Sequence, residues 1–193
     1  MAIRKPADET GAALMLERLS RLVRAAEHEG DLNPAQWEAL RYLGRANRFS
    51  NSPGALTQYL GATKGTVSQT VIALVKKGLV VKSPRPAEKR SVALTLTEPG
   101  EAMLACDPWR RLAGEIDKLG PKTRKRFARG LRNLLQAELV HGGFREFGVC
   151  RSCRYFGEKA AQDETGGPHR CMLFNEPLSG AEARKICLEH LSV

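Results

Sequence analysis

No stretch of the 193 residues approaches the roughly 18 consecutive apolar side chains that a membrane-spanning helix needs, which excludes an integral helical membrane protein. Two positive charges in the first eight residues have no apolar run behind them, so no secretory signal is expected and the cytoplasm is the expected location. Internal repeats and low-complexity tracts are lacking. So are the usual signatures of catalysis: there is no Gly-x-Ser-x-Gly, no His-Glu-x-x-His, no phosphate loop ending in Lys-Ser or Lys-Thr, and no dinucleotide fingerprint. The chain reads as a non-enzyme. Cysteine is almost missing from the first 149 residues, where Cys106 stands alone.

What is present divides the chain in two. Residues 1–143 hold 24 basic and 14 acidic side chains, whereas residues 144–193 hold seven of each, so the whole net charge of +10 sits in the first part. Such an excess favours a polyanionic partner, and nucleic acid is the commonest for a soluble chain. The cysteines are distributed oppositely: Cys150, Cys153, Cys171 and Cys187 fall within the last 44 residues. In a reducing compartment that clustering argues for metal ligation over disulfides. Two parts are expected, residues 1–143 and residues 144–193, with Gly142-Gly143 as the boundary.

Helical spacing of Met15, Leu19, Leu22 and Ala26 predicts an amphipathic helix within residues 8–29. Asn33-Pro34-Ala35-Gln36 carries a capping box with proline at the first helical position, and Leu32 is placed to staple onto Trp37, so a second helix is expected from Pro34 to Arg45. Ser52-Pro53 repeats that signal for a short helix stopped at Gly61. Thr63 caps the next, in which Val67, Val71, Leu74 and Val75 form one stripe ending at Gly78. Two short helices joined by a glycine turn make a helix-turn-helix. Residues 79–83 and 91–96 then read as two strands around a basic loop carrying Arg85, Lys89 and Arg90. A helix from Thr97 toward Ile116, kinked at Pro108, and another from Pro121 complete this part, the latter with a stripe of Phe127, Leu131, Leu134, Leu135 and Leu139. Cys106 is expected as a small core residue.

This order of elements resembles the MarR (multiple antibiotic resistance regulator) family of winged-helix transcription factors over roughly residues 10–140. The likeness is most specific in Thr66-Val-Ser-Gln-Thr-Val71, Leu74-Val-Lys-Lys-Gly-Leu-Val80 and Glu88-Lys-Arg-Ser-Val-Ala-Leu-Thr-Leu-Thr-Glu-Pro-Gly100. Glu88 stands where the family usually has Asp, and Arg90 keeps the family's wing arginine. The resemblance implies a homodimer joined by the first helix and the last two, a pseudo-palindromic operator, repressor function, and room for a small-molecule effector. The expected fold class is mainly α with a small β wing: a dimeric winged helix-turn-helix, followed by a small cysteine-rich C-terminal module.

A recognition helix must leave one face free for the major groove, where base edges differ in their donors and acceptors. With the apolar stripe inward, Gly65, Thr66, Gln69 and Lys76 face outward, with Thr63, Lys64 and Ser68 near the N-terminal end. Gln69 is the candidate base reader, since its amide can pair with adenine through two bonds. Lys64 and Lys76 are candidates for phosphate contacts, which fix position without reading sequence. Arg85, Lys89 and Arg90 are expected at phosphate or the adjacent minor groove.

A tail of 50 residues is too short for a confident core of its own and commonly needs a metal or disulfides. Cys150-Arg-Ser-Cys153 is a close pair, while Cys171 and Cys187 stand singly, and four thiolates are a full ligand set for one centre. One pair plus two singles suits an iron–sulfur cluster, [4Fe-4S] or [2Fe-2S], better than a zinc ribbon, which uses two close pairs; zinc is the alternative. The expected role of such a cluster is to sense redox state or iron. Ser179-Gly-Ala-Glu182 predicts a helix from about Gly180 to Leu191 carrying Cys187. His169, two residues before Cys171, and His190, three after Cys187, could substitute as ligands or donate hydrogen bonds to sulfur, but the expectation for each is a solvated histidine.

Overall fold

The computed structural model describes residues 11–28, 31–85, 88–159 and 166–193, with the side chains of residues 88–91 outside that description. Helix α1 (Ala12–Glu27) is followed by α2 (Pro34–Arg45), whose capping box forms as expected: Asn33 Oδ1 accepts from the Gln36 N–H and Gln36 Oε1 from the Asn33 N–H. Caps of this kind contribute about 1 kcal/mol each. Helix α3 (Pro53–Leu60) begins at Ser52, whose hydroxyl accepts from Ala55 N–H, and ends at Gly61. Gly61 has φ of 59°, a left-handed conformation in which glycine suffers no Cβ clash. Helix α4 (Lys64–Lys76) starts at Thr63, whose hydroxyl accepts from Thr66 N–H.

Strands β1 (Val80–Arg85) and β2 (Glu88–Leu96) pair antiparallel, with Val80 opposite Leu96 and Lys82 opposite Leu94. Three helices follow: α5 (Glu98–Ala105), α6 (Trp109–Asp117) and α7 (Pro121–Gly142). The kink expected at Pro108 is a complete break between α5 and α6, because Asp107 Oδ1 takes the Trp109 N–H and starts a new helix there. Cys106, in that break, is exposed rather than buried.

The core lies between α2, α3, α4 and the root of the wing, where Leu40, Tyr42, Leu56, Val67, Val71, Leu74, Val80 and Leu94 are almost wholly buried. Val75, expected on the same stripe, is exposed because the stripe on α4 is narrower than its spacing suggested. The apolar faces of α1 and α7 differ from this core. In the single chain Met15, Leu19 and Leu22 on α1, and Leu134 and Leu135 on α7, are exposed.

Helix α7 ends at Gly143, in left-handed conformation, but the chain does not leave the body there. Phe147, Ile186 and Leu188 pack onto the main core, and Phe147 meets Tyr42 and Tyr59 edge-on with ring centroids 6.1 and 5.1 Å apart. The tail is built of short strands: β3 (Gly148–Val149) pairs with β7 (Ile186–Cys187), and β4 (Phe156–Gly157), β5 (His169–Cys171) and β6 (Glu176–Leu178) form a small sheet. The helix expected from Gly180 to Leu191 is absent. Its capping box does form, with Ser179 N–H donating to Glu182 Oε2 and Glu182 N–H to Ser179 Oγ, but it opens only a single 3-10 turn, Glu182–Arg184. Lys185 then turns extended, because Cys187 pairs across the ladder with Gly148 while Ile186 joins the main core. Tertiary packing overrides the local signal.

Candidate nucleic-acid interface and cysteine site

Helix α4 buries Val67, Val71 and Leu74 and leaves the opposite face bare. Thr63, Lys64, Gly65, Thr66, Ser68, Gln69 and Lys76 are all exposed. Two of them already serve the helix: the Thr63 and Thr66 hydroxyls share a hydrogen bond of 2.9 Å, which fixes the first turn. Lys64 and Lys76 take part in no ion pair among the described residues, so their charges are unspent within the chain. Lys77, next to that face, donates instead to the Asp31 carbonyl. The helix and its cap therefore present an amide, three hydroxyls and two ammonium groups outward, a set that can bond base edges and phosphates.

Arg85 departs from the expectation that it sits on the wing tip facing outward. Its Nη2 donates to Asn51 Oδ1 at 2.6 Å, which turns the side chain back onto the segment between α2 and α3 and leaves it half-buried. The Lys89 and Arg90 side chains lie outside the described residues.

All four tail cysteines line one cavity, together with Asn47, Tyr155, Phe156, Leu173, Phe174, Leu178 and Glu189. Its atom-free space, mouth included, is about 310 Å³. The four thiols arrive on three devices. The 3-10 turn Cys150–Ser152 carries the close pair, closed by Cys153 N–H donating to the Cys150 carbonyl at 2.9 Å. Cys171 is delivered opposite Phe156 by pairing of β4 with β5, and Cys187 opposite Gly148 by pairing of β3 with β7. Cys150 and Cys187 are buried, Cys153 and Cys171 partly so. Among the described residues no group of three or more His, Cys, Asp or Glu side chains stands close enough together to hold a metal ion.

Burial, opposed by a hydrogen bond from Asn47 and reinforced by Cys187, Cys171 and Cys153, pushes the Cys150 thiol up to about 11. Neither histidine lines the cavity, and neither is solvated as expected. His169 is buried against Phe156, its Nδ1 accepting from Lys159 N–H, and the ring nitrogen Nε2 of His190 bonds the Ser152 hydroxyl at 3.0 Å. His190 thus braces the turn between Cys150 and Cys153.

Asn47 is the site residue that the sequence did not reveal. It is fully buried, and its Nδ2 donates to Cys150 Sγ at 3.4 Å across 103 residues of chain. No local pattern marks it, since its partner is known only once the tail has docked. The Asn47 N–H also donates to the Ile186 carbonyl at 2.9 Å, and its Oδ1 accepts from Phe49 N–H.

A second cavity, about 1280 Å³ by the same measure, lies between α2, α3, α6, α7 and the tail and is lined by Arg41, Arg45, Tyr59, Trp109, Leu135 and Arg145 among others.

The comparisons bear on the first of these sites. Residues 30–91 match the model of the MarR family. A comparison with curated proteins returns no match. Among solved structures, a MarR transcriptional regulator from Methanosarcina mazei Go1 is 22% identical, covers 67% of this chain and 94% of its own, and superposes with a TM-score of 0.53. Streptococcus pneumoniae FabT, solved in complex with DNA, is 20% identical over 64% of this chain and 92% of its own, with a TM-score of 0.53. S. aureus MepR in its DNA-binding conformation is 16% identical over 65% and 93%, with a TM-score of 0.55. At these identities the likeness is one of fold, and a third of the chain has no counterpart in these structures. The winged helix described above thus shares its fold with these structures, and its residues 30–91 match the MarR family model.

Proposed function

We propose that the chain is a sequence-specific DNA-binding transcription regulator, a repressor acting as a homodimer, whose four-cysteine site holds an iron–sulfur cluster and reports redox state or iron. The observation that carries the first half is the bare face of α4, with Gln69, Lys64 and Lys76 outward on a helix anchored by a buried stripe. FabT and MepR, which share the fold, were solved with DNA. These similarities are to regulators and not to enzymes. The apolar faces on α1 and α7 support a second copy as their cover, since exposed leucine and methionine in such number mark association surfaces.

For the second half, support comes from four thiols around one apolar cavity and from an amide donor aimed at one sulfur. Cys150, Cys153, Cys171 and Cys187 would hold the cluster, which when bound supplies a redox-sensitive cross-link of three separate loops. Asn47 and His190 would orient its ligands, and Phe156, Phe174 and Leu178 would limit water.

Selection of duplexes from a random-sequence pool with the anaerobically isolated full chain tests the DNA reading. A preferred sequence should emerge whose affinity falls steeply with salt. Gln69→Ala should lose discrimination at one base pair by about 1–3 kcal/mol. Lys64→Ala should weaken all duplexes and reduce the salt slope by about one. No enrichment, or a salt-independent affinity, would overturn it. The isolated chain should be brown, contain iron and acid-labile sulfide, and lose both in Cys150→Ala; a colourless chain with stoichiometric zinc would refute the cluster.

A second reading is favoured by the cavity at α2 and α7: Tyr59 and Trp109, with Arg45 beside the Tyr59 hydroxyl, suit a small aromatic effector. In that reading the cysteines hold structural zinc.

A further inference from the structure

The segment that joins α2 to α3, residues 46–52, is held from two sides. On one side stands the tail. Asn47 donates to Cys150 Sγ, and the Asn47 N–H and the Ile186 carbonyl are bonded. Arg48 reaches Glu182 and Glu176 and donates to the Pro177 carbonyl at 2.7 Å. Phe49 stacks on Phe174 at 4.4 Å between centroids, and Ser50 Oγ accepts from Leu188 N–H at 2.7 Å. Every residue from Asn47 to Ser50 therefore touches the tail, between or beside its cysteine loops.

On the other side stands the DNA-binding machinery. The Asn51 carbonyl accepts from Leu94 N–H of β2 at 2.7 Å, and Asn51 Oδ1 accepts from Arg85 of β1 at 2.6 Å. Ser52 caps α3, the first helix of the helix-turn-helix. Five residues of backbone thus separate the Cys150 contact from the start of α3. A segment this short, with most of its polar groups committed, transmits a displacement of one end to the other instead of absorbing it.

We infer that residues 46–52 are a two-sided clamp through which the cysteine site sets the position of the wing and of α3: Asn47 to Ser50 grip the tail, and Asn51 grips both strands of the wing. The identity of the ligand that switches the clamp rests on the cluster reading; the clamp itself consists of protein contacts. With the centre in place the three cysteine loops are cross-linked and the grip on residues 47–50 is firm. When the centre is lost the loops part, residues 47–50 are released, and Asn51 no longer holds Arg85 and Leu94 in register with α4. Asn47 is accordingly a positioning residue, acting on the site through Cys150.

The test uses the full chain, isolated without oxygen and after treatment with chelator and oxidant. Amide exchange over residues 80–96 and affinity for the duplex selected above are read together with iron and sulfide content. In the untreated chain wing amides should exchange at least tenfold more slowly than after iron removal, and duplex affinity should differ at least fivefold. Asn51→Ala, remote from the cysteines, loses the Arg85 bond but keeps its carbonyl bond to Leu94 N–H; it should keep wild-type iron and sulfide while the affinity difference is at least halved. Arg48→Ala, whose side chain is partly exposed and outside both cores, should show fast wing exchange even before iron removal. An undiminished response in Asn51→Ala, or unchanged wing exchange after iron has left the wild type, overturns the clamp. If the chain as isolated carries no iron and sulfide, the cluster reading fails by itself. The clamp is then decided by Arg48→Ala alone, where wing exchange equal to wild type refutes it and acceleration supports it.

Discussion

Arg41→Leu isolates the polar joint that ties the first helix to the winged-helix body. The Glu27 carboxylate, 1% exposed, accepts from Arg41 Nη2 at 2.7 Å and from the Trp109 indole N–H at 2.9 Å. Asp107, 8% exposed, accepts from Arg41 Nη1 at 3.0 Å and from the Trp109 backbone N–H at the same distance. One guanidinium on α2 thus serves two buried carboxylates, at the end of α1 and at the break before α6. Removing it leaves both acids out of water with single neutral donors. Loss of one partner from a buried pair costs about 3–5 kcal/mol, against about 0–1 for an exposed pair. With a urea dependence of about 2 kcal/mol per molar, the unfolding midpoint should drop by roughly 1.5–2.5 M. Circular dichroism at one fixed protein concentration reads this directly, since association would otherwise shift the midpoint. Adding Glu27→Gln to Arg41→Leu should recover part of the loss, because one stranded charge is gone. A loss below about 1 kcal/mol, or no recovery in the double variant, would refute the idea that this network is a desolvated joint.

Gly100→Ala should destabilise by at least about 2 kcal/mol, because its Cβ would stand 2.1 Å from the Leu79 carbonyl oxygen, a backbone atom already fixed by Thr97 N–H; Gly114→Ala, with nothing within 4 Å, should be neutral or stabilising by up to about 1 kcal/mol, and equal melting shifts for the two would reject the packing argument. Met15→Glu combined with Leu134→Glu should convert a particle of twice 21.2 kDa into one of 21.2 kDa by light scattering, and an unchanged mass would place the dimer seam elsewhere. Burial raises the Glu182 carboxyl, but the Ser179 N–H, the Arg48 guanidinium and the Ser179 hydroxyl outweigh it and hold the group below its ordinary 4.5. Its contribution is therefore present above pH 4.5 and lost as pH falls through the lowered value of the folded chain. Amide exchange at Ala183 should accelerate over that acid window in the wild type and show no such step in Glu182→Gln; identical acid profiles would remove Glu182 from the tail's stability.

Local signals were sufficient wherever one short stretch supplies both donor and acceptor. Asn33 with Gln36, Ser52 with Ala55 and Thr63 with Thr66 start their helices as the spacing predicts, and Gly61 and Gly143 end theirs. The outward face of α4 was legible for the same reason, since a three-residue apolar stripe fixes which side of a helix turns inward. The four cysteines were legible as a group from their chemistry and clustering. Ser179-Glu182 shows where such reading stops: the capping bonds form, yet the following helix loses to strand pairing at Cys187 and to burial of Ile186. Arg85 likewise follows a distant acceptor, Asn51, and not the charge of its own loop.

The sequence by itself determined the winged-helix elements, the side of α4 that stays bare and the residue types that could hold a centre, because these depend on contacts within a few residues. Only the tertiary structure decided that the tail docks on the segment between α2 and α3, that Asn47 faces Cys150, and that both tail histidines are buried. Those outcomes follow from hydrogen bonds and packing between residues up to 138 positions apart, whose partners meet only after the helices have assembled a surface for the tail to cover.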